Sequence, residues 1–197
     1  MPNTLIKQFP TEKRTAATDS GVLNVSEMFC DTLQGEGIHT GVPATFIRLQ
    51  ACTLACVWCD TLAVWKQGNP YSILELFKMF EDADMIEKFK NGQHIVLTGG
   101  SPILQQNGLL EFVQRFYAEY GFNPHYEIEN ESTRPIDPKF AQFISTWNNS
   151  PKLANSGMKK AIRYKPEVLK QLSALPNSWF KFVVTNEEEW TEIKEDF

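Results

Sequence analysis

Three cysteines, Cys52, Cys56 and Cys59, stand within eight residues in the pattern C-x3-C-x2-C, and Asp60 and Thr61 follow at once. Thiolates are soft ligands, and so tight a cluster points to metal or redox chemistry rather than to packing. The chain has four cysteines, but three lie too close together for two good disulfide bridges. A structural zinc ion would close four ligands, and the fourth would have to be Cys30 or His39, both at unusual separations. Three cysteines instead suit a four-iron cluster that leaves one iron open to a substrate or cofactor. Cys30 reads as a buried thiol or as that fourth ligand.

Other residues could work beside such a centre. Gly35 and Gly37 permit a tight bend that displays Gln34 and Glu36. Arg48 lies near the end of an extended stretch that feeds the cysteine loop, where it is either a surface charge or an anion holder. Gly99-Gly100-Ser101-Pro102 ends an apolar run, and a diglycine there allows a ligand to meet the backbone. Taken singly, each has an ordinary structural reading.

The elements that must position these residues follow from periodicity. Extended stretches are expected at 43–50, 94–98, 125–129 and 179–184, each β-branched, aromatic or alternating. Ser72 and Glu75 form a capping box for a helix to about Phe80, continued over Met85 to Phe89. Leu109, Phe112, Val113, Phe116 and Tyr120 recur at helical spacing before the stop at Gly121, and short helices are expected at 167–172 and from Asn186. Strands separated by helices imply parallel crossovers, hence an α/β sheet or partial barrel with its functional groups at the strand C-terminal ends. Cys52, Thr98, Glu129 and Ser150 all fall at such ends. Residues 1–21, polar and threonine-rich, are expected to be a mobile arm or a short edge addition before a domain over 22–197.

Bulk properties are permissive. The 197 residues suit one domain, and 42% hydrophobic residues suffice for a core. A net charge of -5 offers no basic field for a nucleic-acid backbone. With no long apolar run, the chain is expected to be soluble and cytoplasmic, away from membranes.

The cysteine spacing resembles that of the radical S-adenosylmethionine superfamily. Six further segments, Glu27-Met28-Phe29, Thr32 to Gly37, Gly41 to Ala44, Phe46 to Leu49, Cys59-Asp60-Thr61 and Ser150 to Leu153, are similar to the 7-carboxy-7-deazaguanine synthase family within it. The resemblance implies a partial TIM-like barrel of parallel strands with flanking helices, a 4Fe-4S cluster on Cys52, Cys56 and Cys59, S-adenosylmethionine and Mg2+. It implies ring contraction of 6-carboxy-5,6,7,8-tetrahydropterin to 7-carboxy-7-deazaguanine with loss of ammonia, as a carbon-nitrogen lyase. Leu33, Gln34, Gly35, Glu36, Arg48 and Thr98 are implied to bind substrate, and Thr61 to bind magnesium. Gly99, Gly100, Ser101, Glu129, Ser150, Pro151 and Lys152 are implied to bind S-adenosylmethionine. A flavodoxin or ferredoxin is the implied electron donor, and a homodimer the implied assembly.

Departures from the family pattern are local. Ser101 stands where the family has glutamate, and Glu129-Asn130-Glu131-Ser132-Thr133 replaces a run of glutamate, small polar residue, Ser or Asn, glycine and threonine. The family pattern also continues past the last helix with a strand and a C-terminal segment, so the chain is expected to be short there, stopping at Phe197. A glycyl-radical-activating enzyme or a non-catalytic relic that keeps the cluster are the other readings of the same motif.

Overall fold

The computed structural model describes residues 2–10, 12–15 and 21–197. Its centre is an open sheet in the order β1-β2-β3-β5-β6-β7-β8, with β4 paired to β2. The strands are β1 (Asn3–Ile6), β2 (Val22–Leu33), β3 (Pro43–Leu49), β4 (Asn69–Ser72), β5 (His94–Gly99), β6 (Tyr126–Asn130), β7 (Thr146–Asn149) and β8 (Ser178–Phe180). The helices are α1 (Leu62–Trp65), α2 (Ile73–Asp82), α3 (Met85–Lys90), α4 (Gln106–Tyr120), α5 (Pro138–Ala141), α6 (Lys160–Arg163), α7 (Pro166–Ser173) and α8 (Glu188–Asp196). β3, β5, β6, β7 and β8 run parallel, joined by helical crossovers. The first and last strands do not meet, so this is the expected partial barrel.

Two features differ from the pattern reading. The stretch before the glycine bend is a 12-residue strand, β2, antiparallel to β1, β3 and β4. Its outward Met28 and Cys30 are fully buried while Glu27 points inward, so it sits between two filled faces and lacks a clean alternation. Within the expected arm, Asn3–Ile6 form the edge strand β1, and Arg14 pairs with Glu75 and stacks over Tyr71. The other part of that expectation falls on residues 1, 11 and 16–20, which lie outside the described residues. At the far edge, the strand expected over 179–184 is only the three residues of β8. The Lys181 N–H still donates to the Asn149 carbonyl at 2.7 Å before the chain turns away.

The pleat sorts the side chains. Ile47, Leu49, Ile95, Leu97, Ile128 and Trp147 face the helices and join Phe77, Phe80, Phe112 and Phe116 in the main core. On the other face Ala44, Phe46 and Val96 make a small apolar floor with Phe29 stacked on Phe46, and beyond it the row turns polar. The capping box holds as expected: Ser72 and Glu75 exchange hydrogen bonds at the start of α2. Among the described residues no helix is long and apolar enough to cross a membrane.

Candidate active site

At the C-terminal ends of the parallel strands the concave face opens into a cavity of about 590 Å³. Cys52, Cys56 and Cys59 line it from the loop after β3, all three as free thiols. That loop is anchored by its own backbone: the Cys59 N–H donates to the Cys56 carbonyl, and the Val57 N–H to the Ser156 carbonyl. Two further donors reach the sulfurs, the Leu54 N–H to Cys52 at 3.4 Å and the Trp65 indole to Cys59 at 3.5 Å. Burial pushes the Cys52 thiol up to about 11 and also raises Cys56. Metal binding requires their deprotonation, and three convergent thiolates beside an open cavity fit a four-iron cluster with one free iron.

Cys30 is not near this loop. It is buried in the main core on β2, donates weakly to the Asn3 carbonyl at 3.5 Å, and is raised to about 11 by burial and by Asp31. Of its two readings, the structural thiol is the one observed.

The diglycine has a tighter purpose than ligand access alone. A Cβ on Gly100 would lie 2.4 Å from the Ala51 carbonyl oxygen and 2.5 Å from Cys52 Cβ. Gly99, at φ +152°, would meet the Leu49 carbonyl oxygen at 2.4 Å. The end of β5 therefore packs against the root of the cysteine loop, and only glycine permits that approach. Ser101 follows fully buried, outside the cavity lining, and its N–H donates to the Ala51 carbonyl at 2.8 Å.

Adjacent inward positions form a polar row. Arg48 pairs with Thr98 across β3 and β5, and the Thr98 hydroxyl donates to Glu129 on β6 at 2.6 Å. Burial raises the Glu129 carboxyl despite that hydrogen bond. Arg48 itself donates to Glu27 at 2.6 Å. Lys152 accepts support from Ser150, whose hydroxyl takes a hydrogen bond from its ammonium at 2.8 Å, and it lies 5.5 Å from the Trp58 ring centre. Burial lowers Lys152. Pro151 between them is buried and does not line the cavity.

Leu33, Gln34, Gly35 and Glu36 line the opposite wall, where Glu36 forms an ion pair with Lys181. Gln34 is turned inward: its amide donates to Glu127 at 2.6 Å and accepts from the Glu36 N–H at 3.1 Å. Its side chain thus braces the loop, while Gln34 lines the cavity together with its neighbours. Thr61 lines the cavity with its hydroxyl 3.8 Å from the Cys59 sulfur.

Two residues escaped the sequence reading. Lys181, in irregular chain after β8, carries no local signal. Glu131 does: with Glu127 and Glu129 it continues the period-two acidic pattern of β6. Its Oε1 accepts from Thr53 and Thr133, while Oε2 is buried without a hydrogen-bond partner among the described residues. Ser132, standing where the family pattern has glycine, takes φ +66°, the region that favours glycine.

Comparison with known proteins agrees with this geometry. Residues 33–129 match the family described as a 4Fe-4S single cluster domain. The chain is similar to 7-carboxy-7-deazaguanine synthase from Pyrobaculum aerophilum, at 31% identity over 174 residues, covering 87% of this chain and 71% of that one. The enzyme of the same name from Hyperthermus butylicus is 30% identical over 186 residues, covering 93% and 74%. The crystal structure of QueE from Escherichia coli shares the fold at a TM-score of 0.56 and 21% identity, covering 88% of this chain and 89% of that one.

Proposed function

Because the chain belongs to the 7-carboxy-7-deazaguanine synthase family, we propose that it contracts 6-carboxy-5,6,7,8-tetrahydropterin to 7-carboxy-7-deazaguanine with loss of ammonia, as a carbon-nitrogen lyase. It is a radical S-adenosylmethionine enzyme, with a 4Fe-4S cluster and S-adenosylmethionine as cofactors. The observation that carries the reading is one cavity lined at once by the three cysteines, the Gly99-Gly100 strand end and the Arg48, Thr98 and Glu129 row. When bound, the cluster and S-adenosylmethionine supply the one-electron chemistry that removes a hydrogen atom from the substrate.

The chain's own residues hold and shield. Arg48 has guanidinium N–H groups beyond the one that Glu27 takes, and these suit the substrate carboxylate. Glu36, held in place by Lys181, can accept from the donor-rich edge of a pterin through its second oxygen. Glu129, half-buried beside Thr98, gains a favourable partner when the amino group of S-adenosylmethionine arrives. Leu54, Trp58 and Trp65 give the cavity an apolar side against water.

Thr61 is the proposed magnesium ligand, its hard hydroxyl oxygen sharing the ion with the substrate carboxylate and waters. A flavodoxin or ferredoxin is the proposed electron donor, in a reducing cytoplasm that keeps the thiols free, and the proposed assembly is a homodimer. The test is an anaerobic reaction of the reconstituted protein with carboxypterin, S-adenosylmethionine and dithionite. Deazapurine absorbance should appear only with Mg2+ present. A reconstituted protein with a full cluster and no deazapurine would overturn the reading.

A further inference from the structure

The chain has three histidines, and all three meet at one place that the reaction does not use. His94 opens β5, His125 directly precedes β6, and His39 sits on the single turn that follows Gly37. Glu127, two residues into the His125 strand, completes the group. One donor atom from each of the four lies within 4.8 Å of all the others. The rings of His94 and His125 stack with centres 3.8 Å apart, and His39 stands edge-on to both, 4.8 and 4.9 Å away.

We propose that His39, His94, His125 and Glu127 form a second metal site that takes one zinc-class divalent cation. Three imidazole nitrogens and a carboxylate oxygen are the donor set that borderline ions such as Zn2+ favour in four-coordinate sites. Glu127 is fully buried, and among the described residues no lysine or arginine pairs with it; its ion-pair contacts are His39 at 3.3 Å and His94 at 3.2 Å. A lone buried carboxylate is costly unless a cation neutralises it. His39 Nδ1, the atom 3.3 Å from Glu127, is buried and makes no well-aligned hydrogen bond among the described residues, so this ring nitrogen is left facing the group. Outer partners hold the other donors: His125 Nε2 lies 3.0 Å from the Thr146 hydroxyl, and Glu127 accepts from Gln34 and Asn148. Metal-bound imidazoles and carboxylates are oriented by contacts of this kind.

The site is separate from the cysteine centre. It lies at the N-terminal ends of β5 and β6, and along β6 Glu127 precedes Glu131 of the cavity by four residues, about 13 Å of strand. Four donors around one zinc stand roughly 3.3 Å apart at its usual bond length, so binding draws the widest-spaced donors, within 4.8 Å now, together by up to about 1.5 Å. His39 can supply that movement, since it rides on a three-residue turn and is a quarter exposed. A bound ion would tie the 34–39 loop to the sheet beneath the cavity, through Glu127 and Gln34.

The full chain with Cys52, Cys56 and Cys59 all changed to alanine removes competing thiolates. Loaded with Zn2+ and desalted, it should retain one zinc per chain, and X-ray absorption at the zinc edge should show only nitrogen and oxygen neighbours with three imidazoles. Adding His39→Gln or His125→Gln should weaken Zn2+ affinity, measured by chelator competition, by more than about 100-fold, beyond what loss of an outer-shell partner costs. No retained zinc, a shell with fewer than three imidazoles, or an affinity unchanged by His39→Gln would overturn the proposal. His39→Gln lies on a surface turn, and the absorption measurement keeps every histidine, so neither depends on a core substitution folding.

Discussion

Glu129 is half-buried and Cys30 fully buried, and desolvation raises both acids, yet they serve opposite ends. Among the described residues Glu129 takes its side-chain hydrogen bond from the Thr98 hydroxyl, so its charge waits for a cation. Glu129→Gln should weaken S-adenosylmethionine binding by about 10- to 100-fold, the value of one charge-assisted hydrogen bond, as read by equilibrium dialysis on the cluster-loaded protein; unchanged binding would remove Glu129 from the cofactor site. Cys30 is raised from 9.0 to about 11. Between those values the unfolded chain ionises this thiol and the folded chain does not, so its contribution is full below pH 9 and fades as pH rises through about 11. Denaturant unfolding from pH 8 to 11 should therefore show a steeper alkaline loss in the wild type than in Cys30→Ala. Equal slopes would mean that the thiol titrates alike in both states. At this scale the sequence was informative about type and silent about hydrogen-bond partners. Gln34 was named from its motif, but that its amide turns to Glu127 is a fact of packing between β2 and β6.

Elements meet the site through their ends. β3 and β5 run side by side in register, Leu49 beside Gly99, and this pairing brings the diglycine under the cysteine loop. The atoms that a Gly100 Cβ would strike are backbone and Cβ atoms, which cannot swing aside. Gly100→Ala should cost about 1–3 kcal/mol in thermal unfolding, the usual range for overpacking, and should lower the iron retained after reconstitution. A stable variant with full iron would mean that the two strand ends are free to part. The helices α2 and α4 were readable from a capping box, an apolar stripe and a terminal glycine, because those signals are local. β2 was not, since a strand filled on both faces has no two-residue rhythm, and β8 fell short of its pattern because the chain turns away after Lys181.

The whole molecule is a one-sided sheet, with an aromatic core under the helices and a polar concave face above. Phe112 touches Phe77, Phe80, Phe116 and Tyr126 across the layers, so Phe112→Ala should cost about 3–5 kcal/mol and lower stability of cysteine site and core together in one transition. Separate transitions would mean that the concave face is held independently of that core. By itself the sequence determined the ligand chemistry, the alternation of parallel strands with the helices α2, α3 and α4, and the family, because cysteine spacing, caps and periodicity are written in neighbouring residues. Only the tertiary structure decided that Cys30 lies in the core, that Glu131 and Lys181 join the cavity, and that three histidines scattered from 39 to 125 converge on Glu127. Those contacts are made between strands far apart in the chain, where register and pleat decide which side chains meet.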